Sequence, residues 1–140
     1  MAMNVLFDTD TLIEFFRGNY EVKDFIEIIG GEEKIIVSSI SYAEVLLFAK
    51  NRQHLNRLKK DIEDLILLDI NEGISELFRQ HMLSYSLSHR PSLPDMLNAA
   101  FARYYDLNFF TLNLSDYTFI KGLNLIKHNI KPLPRQKGFW

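Results

Sequence analysis

The chain has 140 residues, no cysteine and a formal net charge of −2 at pH 7; 47% of its residues are hydrophobic and 24% are charged. This length fits one compact domain, and the composition is too apolar for a disordered chain. Without cysteine, the chain has no disulfide framework, thiolate nucleophile or cysteine-ligated metal site, and its near-neutral charge gives no global field that attracts nucleic acid.

The beginning of the chain and its apolar runs bear on membrane association. The first residues, MAMNVLFD, have neither a basic start nor an apolar core of signal length. The longest apolar runs are far shorter than the ~20 residues that span a bilayer. We therefore expect a cytoplasmic protein that does not associate with a membrane.

Apolar segments alternate with helical patterns along the chain. The predicted strands are residues 4–7, 34–38, 65–70 and 107–112, with a short strand at 123–126, and the predicted helices are residues 11–17, 21–29, 41–49, 52–64, 72–88 and 95–104. This order predicts an α/β fold with helices on both faces of a central, mainly parallel sheet of four to five strands. We expect one domain over residues 1–140, with an irregular tail from about residue 131.

Four acidic residues occupy equivalent places in this arrangement. Asp8 closes the first strand and Glu44 lies in the first turn after the second strand, whereas Asp95 begins a helix and Asp116 follows the fourth strand. In a parallel α/β sheet, the carboxyl ends of the strands and the starts of the helices lie at the same edge, which is where ligands bind. We therefore expect these four carboxylates at one edge of the sheet.

Three of these acids also have a local explanation. Ser41 and Glu44 match the S-x-x-E capping box, so Glu44 alone would be explained as part of a helix start. Asp95 in a first helical turn would complement the helix dipole, and Asp116 would suit a turn. Asp8 has no obvious cap to make, and it is the hardest of the four to explain without a ligand.

Carboxylates that converge at one edge repel one another. Two full charges about 4 Å apart cost on the order of 4 kcal/mol at an effective dielectric near 20, so a proton or a cation must relieve the repulsion. A set of oxygen ligands without histidine or cysteine favours Mg²⁺ or Mn²⁺. Such an ion lowers the pKa of bound water and polarises a phosphoryl oxygen, which suits hydrolysis of a phosphodiester.

Three separated segments, in order, carry a resemblance to a known family. The opening VLFDTDTLIEFFRGN resembles a strand-ending D-T-[ND]-x-L-I followed by a short helix and Arg-Gly. VSSISYAEVLLFA is similar to an S-x-x-x-x-E-L segment, with Val45 in the last place. LPDMLNAAFARYYDLNFFTLNLSDYTFIKGLNL resembles a stretch from a third acid through T-x-N-x-x-[DE]-[FY] to G-[IL]-x-[IL]. Together they resemble the PIN-domain ribonucleases and, within them, the VapC-type toxins.

The resemblance implies a PIN-like α/β/α sandwich and a Mg²⁺- or Mn²⁺-dependent endoribonuclease, the toxin of a type II toxin–antitoxin pair. By resemblance Asp8, Glu44 and Asp95 match the core acids, and the fourth acidic place falls in TLNLSDY, where the chain has Asn113 first and Asp116 three residues later. The implied partners are an RNA substrate, a cognate antitoxin and a second copy of the chain in a homodimer.

The resemblance also implies roles for these residues. Asp8, Asp95 and the segment with Asn113 and Asp116 would hold one or two ions, and Glu44 would complete the ligand set or position the attacking water. We expect Thr9 to donate a hydrogen bond to a carboxylate or to phosphate.

Two other functions remain open. The D-x-D of Asp8, Thr9 and Asp10 resembles the haloacid-dehalogenase-like phosphatases, in which Asp8 would be the nucleophile and Asp10 the general acid, although no acidic pair of their kind follows. A catalytically silent PIN-like module that binds RNA or a protein is the other alternative. We expect the Asp10 side chain to point away from the acidic cluster or into the following turn.

Two further features bear on partners. The stretch KNRQHLNRLKK, residues 50–60, contains five basic residues and no acid, so it is either a solvated helix face or a surface that contacts phosphate or a partner. Five aromatic side chains on the helices exceed what one small core needs, which predicts a homodimer with part of this surface serving the antitoxin, unless all five lie in the core. They are Phe15, Phe16, Tyr20, Phe25 and Phe48.

Overall fold

The structure, a computed structural model, describes residues 3–133. Its strands are β1 (Val5–Phe7), β2 (Ile35–Ser38), β3 (Ile66–Leu68), β4 (Asn108–Phe110) and β5 (Asn124–Leu125). Its α-helices are α1 (Thr9–Phe16), α2 (Tyr20–Ile29), α3 (Ser39–Leu46), α4 (Arg52–Glu63), α5 (Glu72–His89) and α6 (Leu93–Tyr104), and two short 3₁₀ helices cover Glu32–Lys34 and Leu114–Asp116. Of the predicted irregular tail, residues 131–133 have no regular structure, and the rest lies outside the described residues.

The five strands form one sheet in the order β3-β2-β1-β4-β5, and every neighbouring pair is parallel. The central strand β1 pairs with β2 through Val5 and Ile35, and with β4 through Val5 and Asn108. All three residues of β1 are buried, as expected for a strand covered on both faces. The predicted α/β/α architecture is confirmed, and the sheet is wholly parallel.

The two faces of the sheet have separate hydrophobic cores. Successive side chains of a strand point to opposite faces, so Phe7 packs with residues of α1 to α4, whereas Leu6 packs with residues of α5 and α6. The first core includes Leu12 and Ile62, and the second includes Phe101. Helices on both faces leave the carboxyl ends of the strands as the edge where a cleft forms.

Helices α1, α3 and α6 each begin two residues before the predicted start. Helix α1 begins at Thr9 because the Asp8 carboxylate accepts a hydrogen bond from the Thr11 amide and caps the helix, so the view that Asp8 has no cap to make was wrong. Helix α3 begins at Ser39 because the Ser38 hydroxyl accepts from the Ser41 amide. Ser41 is therefore not the cap, and the capping-box explanation of Glu44 was wrong.

The five aromatic side chains that predicted a dimer divide into two groups. Phe15, Phe16 and Phe25 pack against the core between the sheet and α1 to α4. Tyr20 and Phe48 are 81% and 40% exposed. The core therefore accounts for three of the five, and two remain on the surface.

None of the helices within residues 3–133 has the length and apolar character that crossing a bilayer requires.

Candidate active site

Asp8 is a buried carboxylate that several donors surround. Its Oδ1 accepts hydrogen bonds from the Thr11 amide at 3.1 Å and the Thr11 hydroxyl at 2.5 Å, and its Oδ2 accepts from the Thr111 hydroxyl at 2.6 Å. Burial raises the pKa of Asp8 to about 6, although these hydrogen bonds oppose the rise and the nearby charge of Asp10 adds to it. The carboxylate is thus fixed in place but is costly to keep charged.

Glu44 is held in the site by Thr9. The Thr9 hydroxyl lies 2.5 Å from Glu44 Oε1 and 3.0 Å from the Ser41 hydroxyl. Glu44 lies in the second half of α3, one and a half turns after the end of β2, and it is partly exposed. The structure therefore satisfies the expectation that Thr9 donates to a carboxylate.

A chain of polar groups continues behind Glu44 into the protein. The Asn98 side-chain amide donates to the Ser41 hydroxyl at 3.1 Å, and the Ser38 hydroxyl donates to the Asn98 carbonyl oxygen. Ser38, Ser41 and Asn98 are all buried. With one proton per hydroxyl, Ser41 can donate to Thr9 and Thr9 to Glu44, so each group in the chain has a partner. This network joins β2, α6, α3 and α1 and fixes where Glu44 stands.

Asp95 faces Asp8 across a tyrosine. Asp95 lies in the first turn of α6, which the Ser92 side chain caps, and Pro94 precedes it. The Tyr117 hydroxyl donates to Asp95 Oδ1 at 2.8 Å and lies 3.5 Å from Asp8 Oδ2. The two carboxylates therefore belong to one local group, although they are 87 residues apart in the chain.

Three polar residues form a more exposed part of the site. Asn113 donates its side-chain amide to Asp10 Oδ2 at 3.0 Å, so Asn113 faces Asp10 and not Asp8 or Asp95. Asp116 lies at the end of the second 3₁₀ helix, and its pKa is raised by partial desolvation and by the charges of Asp95 and Asp10. We call Asp8, Thr11, Thr111 and Tyr117 the cleft floor, and Asp10, Asn113 and Asp116 the cleft rim.

The acids meet in an open cleft of about 330 Å³ at the carboxyl edge of the sheet. Its polar walls come from Asp8, Thr9, Asp10, Glu44, Ser92, Asp95 and Asn98, and its apolar walls from Leu47, Phe48 and Pro94. Three of the four predicted acids line this cleft directly, and Asp116 lies beside it, close enough for its pKa to respond to Asp95 and Asp10. Asp10 also lines the cleft, so the expectation that its side chain points elsewhere was wrong.

The residues of the cleft fit a hard divalent cation by their chemistry. Every ionisable side chain that lines the cleft is a carboxylate, and a cation beside Asp8 would offset the burial that raises its pKa. Within residues 3–133, no three histidine or acidic side chains already lie close enough together to hold an ion. A site with three or more of these ligands would therefore require at least one carboxylate to turn toward the ion.

Sequence reasoning missed several residues of this site. Asn98 is the one strongly polar residue in the apolar run of α6 from Met96 to Ala102, and a buried amide needs partners, so this signal was available. Thr111 directly follows β4 and donates to Asp8 at the edge where ligands bind. No sequence signal indicated that the hydroxyl of Tyr117 would reach Asp95.

The basic stretch lies on α4 and just before it, and none of its residues lines the cleft. Its basic side chains are exposed, and Lys59 forms an exposed ion pair with Glu63 at 3.5 Å. An exposed pair of this kind contributes little to stability. The stretch is therefore available at the surface, and its contact with phosphate stays a prediction.

Comparisons with known proteins agree with this geometry. The PIN domain family model matches residues 5–115. No curated protein sequence matches the chain. A solved toxin–antitoxin complex from Klebsiella pneumoniae contains a chain that is 27% identical, with a TM-score of 0.73 over 89% of this chain and 97% of that one.

Two further solved structures have the same coverage. A DNA-bound VapBC from Salmonella typhimurium is 21% identical with a TM-score of 0.75, and VapBC-1 from nontypeable Haemophilus influenzae is 19% identical with a TM-score of 0.74. At these identities the similarity shows the fold. The family match extends from β1 through β4 and includes Asp8, Glu44 and Asp95. The chain therefore belongs to the PIN domain family.

Proposed function

We propose that the chain is a Mg²⁺- or Mn²⁺-dependent endoribonuclease and the toxin of a type II toxin–antitoxin pair. The observation that carries this proposal is the meeting of Asp8, Asp10, Glu44 and Asp95 in one cleft at the carboxyl edge of a PIN-family sheet. A cleft lined by carboxylates repels the phosphate of RNA unless a cation lies between them. The site therefore suits chemistry in which a divalent ion accompanies the substrate.

In this proposal the cleft floor, the cleft rim and Asp95 supply the ligands. Asp8 and Asp95 would hold the ion, with Asp116 joining from the rim and Asn113 supporting Asp10 through its amide. When bound, the ion supplies a water of lowered pKa and stabilises charge on the scissile phosphate. Asp8 serves as a ligand only when ionised, so its raised pKa makes binding weaker as the pH falls below about 6.

Glu44 has a different role because Thr9 and the buried network behind it hold its side chain in the cleft. Its carboxylate accepts from Thr9, which leaves the second oxygen to orient the attacking water or to complete the ligand set. The buried network through Ser41 and Asn98 limits the positions that Glu44 can adopt. Such fixed placement of a general base matters because small misplacements lower rates strongly.

The partners in this proposal are an RNA substrate, a cognate antitoxin and a second copy of the chain. One solved structure similar to this chain is described as a toxin–antitoxin complex, and two others are described as VapBC. Exposed apolar residues give two surfaces for protein partners: Leu83, Leu87 and Leu93 on α5 and α6, and Tyr20 and Leu47 near α1 to α3. A translated RNA target would place the protein in the cytoplasm. Light scattering at micromolar concentration that gave a monomer would contradict the homodimer.

The two alternatives receive less support. A phosphatase that uses Asp8 as the nucleophile and Asp10 as the general acid gives no role to Glu44 and Asp95, which meet Asp8 in the cleft. A silent binding module would not need a cleft in which Glu44 and Asp95 converge with Asp8. A covalent phospho-adduct on Asp8 would support the phosphatase alternative. RNA binding that does not depend on Mg²⁺ and is not followed by cleavage would support the silent module.

The test is cleavage of total RNA by the purified chain in Mg²⁺ and in EDTA, with the new 5′ ends mapped. Wild type is expected to cut in Mg²⁺ only, and Glu44→Gln and Asp95→Asn are expected to be inactive while melting like wild type. Asp24→Asn removes an exposed carboxylate of α2 outside the cleft and serves as the matched control. Cleavage that persists in EDTA, or in Asp95→Asn, would overturn the proposal.

A further inference from the structure

Tyr117 brings a neutral hydroxyl into a group of carboxylates. Its side chain is 1% exposed, and its ring packs edge-on against Phe109 of β4 with the ring centroids 4.7 Å apart. The hydroxyl lies 2.8 Å from Asp95 Oδ1 and 3.5 Å from Asp8 Oδ2. The ring is thus anchored in the core between the sheet and α6, and only its polar end reaches the cleft.

The Tyr117 hydroxyl can donate a full hydrogen bond to only one of the two carboxylates, Asp95 or Asp8. A phenol has one proton to donate, and the shorter distance assigns it to Asp95. Burial and the neighbouring charges of Asp8 and Asp95 raise the pKa of Tyr117, so it stays a donor at neutral pH. Tyr117 therefore acts as a fixed donor to Asp95 and not as an acid or base.

Asp8 and Asp95 differ in how many donors they have. Asp8 accepts from Thr11 and Thr111 without help from Tyr117. For the Asp95 carboxylate, Tyr117 is the single hydrogen-bond donor among residues 3–133. The partly exposed Asp95 side chain would otherwise be free to turn between the cleft and solvent.

We propose that Tyr117 is a positioning residue whose hydroxyl holds the Asp95 carboxylate toward Asp8, so that both can serve one divalent cation. This inference rests on the proposed function, because it concerns the same cation site. A carboxylate has two oxygens, so a hydrogen bond on Oδ1 leaves Oδ2 for the ion. Hydrogen bonds that orient metal-binding carboxylates commonly change metal affinity by about 10–100-fold when they are removed.

A filling role in the core is the competing explanation, and Tyr117→Phe separates the two. Phenylalanine keeps the ring against Phe109 and removes only the hydroxyl. The Asp95 carboxylate that loses its donor is partly exposed and regains water, so the variant keeps its fold. Tyr85→Phe is the matched control, because the Tyr85 hydroxyl accepts a hydrogen bond from the Lys121 amide and Tyr85 does not line the cleft.

The experiment measures Mn²⁺ affinity of the metal-free full chain by calorimetry, together with thermal melting. Tyr117→Phe is expected to weaken Mn²⁺ binding by about tenfold, and Tyr85→Phe to leave it unchanged. In an Asp95→Asn background, Tyr117→Phe is expected to change Mn²⁺ affinity less than twofold, because its action passes through Asp95. A variant Tyr117→Phe that binds Mn²⁺ like wild type would overturn this inference while leaving the proposed function standing.

A second measurement needs no variant. A crystal structure of the wild-type chain with Mn²⁺ is expected to retain the hydrogen bond from Tyr117 to Asp95, with Asp95 contacting the ion. An ion held by Asp95 after Tyr117 has turned away would overturn the inference even if Tyr117→Phe did not fold. A wild-type chain that neither binds Mn²⁺ nor cuts RNA would overturn the proposed function and this inference together.

Discussion

The cleft floor and the cleft rim each contain an aspartate, and the two aspartates are only two residues apart in the chain. Their environments are nevertheless opposite in burial and in the number of hydrogen bonds. Asp8 of the floor is buried, receives several hydrogen bonds and has a pKa raised to about 6. Asp10 of the rim is exposed and receives one side-chain amide from Asn113. Asp8 lies between β1 and α1, whereas Asp10 lies in the first turn of α1. Two carboxylates that are two residues apart therefore lie in the core and at the surface.

This difference indicates that the cleft floor surrounds a carboxylate, Asp8, whose ionised form the fold disfavours. A buried carboxylate costs free energy when it is ionised and has no cation beside it. The rim can carry its charges at little cost because water screens them. We therefore expect changes in the floor to alter both chemistry and stability, and changes in the rim to alter chemistry modestly and stability hardly at all.

The largest expected effect comes from Asp8→Asn. This change removes a ligand of the cation and the least favourable charge together, so RNA cleavage should fall to background while the metal-free protein melts several degrees higher at pH 7. RNase assays in Mg²⁺ and thermal melting in EDTA measure the two effects. An Asp8→Asn variant that still cut RNA would remove the floor from the chemistry.

The second effect is on the pH dependence of folding. A rise in the Asp8 pKa from 3.8 to about 6 corresponds to roughly 3 kcal/mol, at about 1.36 kcal/mol per pKa unit. Because the folded state binds the proton more tightly, this stabilisation is complete below pH 3.8 and is lost as the pH rises through about 6. Urea unfolding of the metal-free wild type should show this loss.

Asp8→Asn is the control for this prediction because it cannot titrate. The difference in unfolding free energy between wild type and Asp8→Asn should grow from about pH 4 to about pH 6 and then level off. Mn²⁺ at pH 7 should restore part of the loss in wild type only, because an ion that binds the folded state stabilises it. If the unfolding free energies of the two proteins changed in parallel with pH, Asp8 would not be the source of the pH dependence.

Asp10→Asn should have a smaller effect. The exposed rim carboxylate contributes through partly screened charge, so we expect RNA cleavage to fall by about tenfold or less, with unchanged melting. Its removal should also lower the pKa of Asp116, which Asp10 helps to raise, and NMR titration of the side-chain carboxyl measures this. A complete loss of activity in Asp10→Asn would make Asp10 equivalent to Asp8 and end the distinction between floor and rim.

The smallest effect should come from the basic stretch, residues 50–60. Replacing Lys50, Arg52, Arg57, Lys59 and Lys60 by glutamine should weaken RNA binding evenly across sequences and flatten its salt dependence, while cleavage at saturating RNA persists. Salt titrations of binding measure this. Replacing Lys23, Lys121 and Lys127 is the matched control, and an unchanged salt slope in the α4 variant would assign that surface to solvent or to the antitoxin.

The order of elements and the edge that bears the site could be predicted from the sequence. Alternating strands and helices require a parallel sheet, and Asp8, Glu44 and Asp95 each stand where such a sheet brings chain segments to one edge. The start of α1 was predicted two residues late, because an aspartate that both ends a strand and caps a helix carries two local signals at once.

The partners of these carboxylates could not be predicted in the same way. Thr111 reaches Asp8 across 103 positions in sequence, and Tyr117 reaches Asp95 across 22. Such contacts depend on strand register and side-chain rotamers, which differ by a few ångströms between arrangements with the same pattern of apolar residues. The direction of the Asp10 side chain likewise depends on a hydrogen bond from Asn113, which also lies 103 positions away.

The central place of β1 has a consequence for the protein during its synthesis. Strand β1 is made first, yet its neighbour β4 and the donors Thr111 and Tyr117 leave the ribosome more than a hundred residues later. A nascent chain that stops before β4 therefore has a β1 without one of its two neighbouring strands and an Asp8 without Thr111 and Tyr117. We expect ribosome-bound fragments that end before residue 108 to be inactive, so the proposed nuclease would form only after β4 has left the ribosome.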